Sequence, residues 1–256
     1  MTIPNNISGP INEFRKDGNN AQHRYRSFDY CYNYFHPKSG NKVAHKNNIE
    51  KSCAMLGFYL ASWGMLRGSS FTLSKSIKHY EPLIIYISQR PSSLWDIDVD
   101  SYKENSGLII KTYNEIKKRV VEKDAKGNYK RHLTLVTKIM LGVFGIIPAY
   151  DDLFCSTFKE IFNERCSFSV FNKSSSSSSS SSSLVCINDF YIANKETIDS
   201  FQKEIFTRSF GGEKTALHYT KAKIIDMYAF QKGLVKAKEE KEEKKKEKKM
   251  IIQSTI

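Results

Sequence analysis

The stretch IEKSCAMLGFYLASWGMLRGSS at residues 49–70 decides the predicted fold. Its bulky apolar residues occupy most helical faces, so little of the surface is left for water. Its small residues recur at alternating spacings of three and four, which places them on one stripe of a helix; they are Ala54, Gly57, Ala61, Gly64 and Gly68. Glycine inside a helix costs up to about 1 kcal/mol relative to alanine, so the stripe favours close packing against another backbone. The pattern predicts a buried central helix that Gly68 ends in a left-handed conformation.

A membrane span is the alternative interpretation of this stripe. The apolar run is shorter than the ~20 residues that a bilayer requires, and Lys51 and Arg67 flank it. We therefore predict a soluble all-α fold, in which a single multi-helix domain surrounds the central helix. The second mostly apolar segment, residues 133–147, is predicted to bring Gly142 and Gly145 against the small-residue stripe.

Composition divides the 256 residues into three parts. Residues 1–20 are polar and contain proline and glycine, which predicts a flexible arm. Residues 21–235 carry the helical patterns, and ten consecutive serines at 174–183 predict a disordered insert at about 169–184 within that domain. Residues 236–256 form a Lys/Glu tail, whose interleaved charges favour a solvated, coiled-coil-like helix over a nuclear or nucleic-acid signal.

The net charge of +13 makes acidic partners plausible, namely nucleic acid, anionic lipid or an acidic protein. The five cysteines show no paired spacing, which favours reduced thiols. A signal peptide has a basic region followed by an apolar run, and the first residues of this chain show neither. These features predict an intracellular protein, cytoplasmic or nuclear, that is not secreted.

The strongest concentration of basic residues within the domain lies after the amphipathic pattern of 108–120. It predicts a polyanion-binding surface made of Lys117, Lys118, Arg119, Lys123, Lys126, Lys130 and Arg131. The alternative is a lysine-rich exterior that only keeps the helix and turn soluble. A second basic region, at 21–35, has its aromatic residues on one helical face, which favours a core face over a base-stacking surface.

The most suggestive polar set is Arg67, Tyr150, Asp151 and Asp152, of which Arg67, Tyr150 and Asp151 are the candidates for catalysis. If the ends of their two helices meet, Arg67 orients a substrate anion while Asp151 acts as a base. The alternative is that arginine in a last turn and aspartate in a first turn complement the helix dipoles, with Asp151 serving as a cap. The sequence favours this structural alternative, so no catalytic residue is assigned.

Other motifs are incomplete, and none of them predicts a metal or a cofactor. The alternating Asp96, Asp98 and Asp100 lack the glycine and the distal glutamate of a calcium loop, which favours a solvated acidic loop. The segment Gly211–Thr215 departs from a phosphate loop in its spacing. The six histidines form no ligand pair with one another, and no cysteine pair joins them.

Two segments, residues 48–70 and 135–154, contain the elements WGMLRGSS and G-x-x-P-A-Y-D. Both are similar to segments of a family of uncharacterised, mainly bacterial helical proteins, and the opening RYRSFDYCYNYF resembles that family's first helix. The resemblance covers about a quarter of the chain and implies that Arg67 and Asp151 belong to one structural unit. It implies no activity.

These features favour a non-enzymatic binding protein whose basic surface takes nucleic acid or an acidic protein. Two alternatives stay open at this point. One is an enzyme with a small polar pocket near Arg67, Tyr150 and Asp151, and the other is a helical scaffold that associates through its tail.

Overall fold

The computed structural model describes residues 3–68, 70–172 and 181–254, apart from the side chains of Glu164 and of residues 248–254. The chain is mostly helical, with 66% of its residues in helices. The helices are α1 (Ser8–Gly18), α2 (Arg26–Phe35), α3 (Ile49–Ser62), α4 (Glu81–Ser88), α5 (Tyr102–Val120), α6 (Leu133–Ile139), α7 (Asp152–Phe162), α8 (Ser183–Ala193), α9 (Lys195–Glu204) and α10 (Lys221–Ser254). The π-helical turn Met140–Phe144 continues α6. No helix of the described residues is long and apolar enough to cross a membrane.

A small sheet departs from the all-α prediction. Strands β1 (Phe206–Arg208) and β2 (Lys214–His218) pair antiparallel, with Phe206 opposite His218. Gly212, at φ +95°, lies in the connection between them. From the sequence, Gly211 and Gly212 were predicted only to interrupt two helices. The strands were not predicted, because three and five residues are too few to display a clear alternation of apolar and polar side chains.

Helix α3 corresponds to the predicted central helix, but it is shorter and more exposed than predicted. It ends at Ser62 because Gly64, at φ +77°, closes a Schellman motif with bonds from Met65 N to Leu60 O and from Gly64 N to Ala61 O, both 2.9 Å. Gly64 thus takes the role predicted for Gly68. Phe58 is 59% exposed, so one face of α3 meets water.

The small-residue stripe of α3 does not pack against a helix backbone as predicted. Ala54 and Ala61 are exposed, while Gly57 faces the side chains of Ile77 and Tyr80. The predicted pairing with residues 133–147 runs instead through Tyr59, whose hydroxyl donates to Lys138 O at 3.1 Å. The Tyr59 ring lies directly over Gly142, where any Cβ would overlap it.

We expect Gly142→Ala to lower the free energy of unfolding by about 1–3 kcal/mol, because the added methyl group must displace the buried Tyr59 ring. Gly107→Ala is the matched control. Gly107 lies in α5, is exposed and has nothing within 4 Å of its Cβ position, so alanine there should stabilise the helix by up to about 1 kcal/mol. Urea denaturation of both variants measures the difference, and an unchanged Gly142→Ala protein would contradict this packing.

The helix that the rest of the chain encloses is the first part of α10. Every residue from Ala222 to Phe230 is buried, including Lys223 and Asp226. α10 contacts α1, α7 and α9, and Gly233 brings its backbone against Leu153 of α7, with the Gly233 Cβ position 2.7 Å from Leu153 O. The sequence did not predict this burial, because Lys223 and Asp226 are charged and charged residues are rarely buried unless they are paired.

The acidic segment that was predicted to be a solvated loop caps α10. Half-buried Asp98 accepts hydrogen bonds from Lys221 N at 2.7 Å and Ala222 N at 2.9 Å, and also from Val99 N at 2.8 Å. Asp100 forms an ion pair with the side chain of Lys221 at 2.5 Å. These bonds satisfy backbone donors that the first turn of any helix leaves free.

The predicted arm, insert and tail, at residues 1–20, 169–184 and 236–256, are compared here with the structure of the residues that it describes. Residues 1–20 were predicted to be a flexible arm, but α1 lies within them, and Ile7, Ile11 and Phe14 are buried at helical spacing. The predicted insert at 169–184 lies outside the described residues at 173–180. The last serines of the tract are described: Ser182 caps α8 and Ser183 is buried. The tail continues α10, and residues 236–247 are exposed.

Candidate polyanion-binding surface

The predicted polyanion surface occupies the end of α5 and the turn that follows it. An isolated bridge joins Lys123 to Tyr129, and the chain between them reverses direction. Asp124 Oδ1 accepts from Lys126 N and Asn128 N, both at 2.9 Å, and Gly127 supplies a φ of +81°. An aspartate at the start of the turn and a glycine in the left-handed region are the residues that such a turn requires.

Three of the seven predicted basic residues have carboxylate partners. Arg119 bonds to Glu115 at 2.5 Å, Lys130 to Glu122 at 2.7 Å, and Arg131 to Asp152 at 3.1 Å. Glu122 also pairs with Lys75. Hydrogen bonds from Lys130 and Lys75 lower the pKa of Glu122 to about 2, so this carboxylate stays ionised and offsets positive charge at the edge of the surface.

The other four residues, Lys117, Lys118, Lys123 and Lys126, form no ion pair within the described ranges. Lys118, Lys123 and Lys126 are exposed. The Nζ atoms of Lys117 and Lys123 each lie 5.1 Å from the centre of the Tyr129 ring, within the range of a cation–π contact. The last turn of α5 and the turn that follows it therefore hold two ammonium groups around one half-buried aromatic ring.

A groove of about 850 Å³ adjoins this surface. Its wall contains Lys130 and Arg131 of the polyanion surface, the neighbouring Tyr129, and Asp152, which pairs with Arg131. Lys159 adds a further cation from α7. Tyr113 and Phe171, stacked with their ring centres 4.1 Å apart, form an aromatic part of the lining. The combination of cations and aromatic rings gives the groove the chemistry of a site for anionic, ring-containing ligands.

The three catalytic candidates do not share one pocket, because Tyr150 lines the groove of about 850 Å³ and Asp151 lines a separate, much smaller cavity. Arg67 is exposed, and its guanidinium folds back over Gly64. Tyr150 is 1% exposed, and its hydroxyl donates to Ser183 Oγ at 2.9 Å. Asp151 caps α7 by accepting from Phe154 N at 3.0 Å, which is the structural alternative that the sequence favoured.

The carboxylate of Asp151 belongs instead to a buried ionic cluster that was not predicted from the sequence. Lys138 Nζ lies 3.5 Å from Asp151 and donates to Trp63 O at 2.7 Å. Lys223 Nζ donates to Asp226 at 2.8 Å, and Asp226 Oδ1 accepts from Ala149 N at 3.1 Å. The cluster thereby ties the end of α3, α6, the start of α7 and α10 together.

Burial acts on the charges of this cluster. It lowers the pKa of Lys138 and raises the pKa of Asp151, and their mutual attraction opposes both shifts. Lys223 also lies about 5 Å from the centres of the Phe14, Phe28 and Trp63 rings, which partly replace its lost hydration. The only sequence signal was a lysine and an aspartate three residues apart in an otherwise apolar helix.

The cavity at this cluster measures about 10 Å³, room for one water molecule at most. Within the described ranges, no group of three or more His, Cys, Asp or Glu side chains is placed to hold a metal ion.

No protein-family model, curated protein or solved structure matches the chain. The resemblance of residues 48–70 and 135–154 to the mainly bacterial family therefore stays a prediction.

Proposed function

We propose that this protein binds polyanions through the folded surface at Lys117–Arg131, and that nucleic acid is the partner class. The observation that carries the proposal is the group of lysines without carboxylate partners around Tyr129, beside a groove to which Lys159 adds a cation and Phe171 an aromatic ring. A surface that only solubilised the protein would not require ammonium groups held against one ring.

Nucleic acid is favoured over an acidic protein because the cations and the aromatic rings occur together. Phosphates pair with Lys or Arg, while exposed bases stack on aromatic rings. Carboxylates on an acidic peptide would use the lysines but would gain little from the half-buried rings of Tyr129 and Phe171 at the groove. Competition by polyglutamate therefore separates the two partner classes.

The test is fluorescence anisotropy of labelled single-stranded RNA and DNA at several salt concentrations. The triple variant Lys118→Glu, Lys123→Glu and Lys126→Glu should weaken binding about tenfold or more at near-physiological salt. It should also reduce the slope of log affinity against log salt by about 2, since each phosphate contact on a single strand contributes about 0.7.

The matched control reverses three exposed lysines elsewhere, Lys38, Lys42 and Lys46, and so changes the net charge equally. Its affinity should stay close to that of the unmodified protein. Equal losses in the two triple variants would mean that net charge alone attracts the ligand. A polyglutamate competitor that displaces RNA efficiently would instead identify an acidic protein as the partner.

A second variant distinguishes the folded surface from the Lys/Glu tail. Deleting residues 239–256 removes the distal charges but keeps Lys236, which pairs with Glu160 at 2.7 Å on α7. Binding should survive this deletion if the folded surface is responsible, and its loss would assign binding to the tail.

The scaffold alternative rests on the exposed continuation of α10. Residues 236–247 are exposed and lack the apolar seam that a coiled coil needs, so a solvated helix is favoured over self-association. Light scattering of the full chain and of the protein lacking 239–256 decides this point, because a scaffold would change its mass after the deletion.

A further inference from the structure

The groove of about 850 Å³ beside the polyanion surface has a polar wall made by one helix. Asp152, Ser156 and Lys159 all line the groove, and their spacings of four and three place them on one stripe of α7. Lys159 lies about 10 Å beyond Asp152 along the helix axis, at a rise of about 1.5 Å per residue. This wall therefore has a carboxylate near one end, a cation near the other and a hydroxyl between them.

Another part of the lining is an aromatic ring that the core holds in place. Phe171 stacks on Tyr113 with the ring centres 4.1 Å apart and the planes 7° from parallel. Phe168, three residues earlier, is 3% exposed and packs edge-on against Phe154 at 5.7 Å, and its carbonyl oxygen accepts from Cys155 Sγ at 3.4 Å. Phe171 is only half-buried and lines the groove, so part of its ring is available to a ligand in a position fixed in advance.

A salt bridge between Arg131 and Asp152 joins the turn after α5 to the start of α7 at this groove. Its two side chains are 86% and 90% exposed, and so exposed a pair contributes little to stability. The pair uses a single N–H group of Arg131, at 3.1 Å, whereas a guanidinium has about five to donate. Arg131 is therefore able to bind a phosphate, and the Asp152 carboxylate competes with that phosphate.

The size and the lining of the groove fit one unpaired base with its sugar and phosphates. A volume of about 850 Å³ lies within the range of about 300–1,000 Å³ that is typical of pockets for small ligands. In a duplex the neighbouring base pairs cover the faces of each base, so only an unpaired base is free to stack on a side-chain ring. The half-buried ring of Phe171 inside a recess therefore favours a single strand as the ligand.

We propose that the groove holds one unpaired base of a single-stranded nucleic acid against Phe171, while Arg131 and Lys159 bind the phosphates next to that base. The inference rests on the proposed function, because the lysines around Tyr129 supply the contacts to the rest of the strand. It adds a property that a merely cationic surface lacks, namely an affinity that depends on the base itself.

The experiment compares two labelled strands of equal length and equal phosphate number by fluorescence anisotropy with the full chain. One is a short oligothymidine, and the other is the same sugar–phosphate backbone without bases. The oligothymidine should bind about fivefold more tightly or better, the factor expected from one stacked base. Phe171→Leu should remove most of this difference by weakening the oligothymidine alone, with the affinity for the baseless strand and for a duplex unchanged. Phe210→Leu is the matched control, since Phe210 is 90% exposed in the connection between β1 and β2, and it should bind like the unmodified protein.

Two charge variants test the phosphate contacts. Asp152→Asn should raise the affinity for both strands about two- to fivefold, because it releases Arg131 from an exposed ion pair. Glu50→Gln changes the net charge equally at an exposed position of α3 and should have a smaller effect. Lys159→Gln should weaken the binding of both strands, whereas Lys46→Gln, at an exposed position outside the groove, should weaken it less.

The outcomes separate this inference from the proposed function. Equal affinities of the two strands for the unmodified protein would overturn the base site, while a loss of both in the variant of Lys118, Lys123 and Lys126 would leave polyanion binding in place. Equal weakening of both strands by Phe171→Leu would also overturn it, since the ring would then only support the wall. Failure of both strands to bind would overturn the proposed function and the base site together. The comparison of the two strands on the unmodified protein decides the point even if Phe171→Leu fails to fold.

Discussion

Asp226→Ala is expected to lower the free energy of unfolding by about 3–5 kcal/mol. Asp226 is 6% exposed and is the ion-pair partner of Lys223, which is 1% exposed. Alanine leaves the Lys223 ammonium buried without a counter-ion and removes the acceptor for Ala149 N. Urea denaturation at neutral pH measures the change.

Two further variants identify the source of this loss. Asp226→Asn keeps an acceptor for Ala149 N and removes only the charge, so its loss should be smaller. The double variant Lys223→Met and Asp226→Leu should also lose less than Asp226→Ala, because removing both charges avoids the unpaired ammonium. If Asp226→Ala and the double variant were equally destabilised, the unpaired charge would not be the cause. Glu13→Ala, which breaks the exposed pair with Lys16, should change stability little.

Asp98→Ala is the second large effect, with an expected loss of about 2–4 kcal/mol. The substitution removes the acceptor for Lys221 N and Ala222 N at the start of α10, and an N-cap together with unsatisfied donors accounts for this size. Asp98→Asn retains one acceptor oxygen and should lose only about 1 kcal/mol. A loss below about 1 kcal/mol for Asp98→Ala would show that solvent or another group caps α10.

The same residue gives stability a pH dependence of defined sign. Withdrawal from water raises the pKa of Asp98 from 3.8 to about 6, against the effect of its backbone hydrogen bonds. Between about pH 4 and pH 6 the unfolded chain has lost this proton while the folded chain still binds it. The free energy of unfolding of the natural protein should therefore fall through this window as the pH rises, relative to that of Asp98→Asn. A difference that stays constant or rises would contradict the raised pKa.

Sequence periodicity predicted the helical class and several helices because the information lies within each segment. The aromatic spacing of 25–35 indicated a core face, and Tyr25, Phe28, Tyr32 and Phe35 are indeed buried. The start of α7 was predicted with Asp151 as its cap, since capping depends on residues three apart in the chain.

The remaining features depend on contacts between distant segments, which one sequence does not display. Asp98 bonds to Lys221 and Ala222, which are more than a hundred residues away in the chain. The local sequence around Asp98 therefore predicted only a solvated acidic loop. Lys223 and Asp226 indicated a half-exposed helix in the sequence, whereas the structure shows both side chains buried. For the candidate surface, the sequence indicated which residues are basic. Only the structure shows which of these residues are paired with carboxylates.

The burial of residues 222–230 by the rest of the chain affects how the protein folds during its synthesis. The ribosome synthesises α1, α7 and α9 before the helix that they surround, so their apolar faces stay uncovered until residues 221–230 emerge. Core formation must then close contacts over most of the chain, which slows folding relative to local helix pairing. Nascent chains with uncovered apolar faces aggregate readily and are substrates for chaperones. A released chain that ends before Lys221 should therefore remain bound to such factors, whereas the released chain of 256 residues can bury its own core.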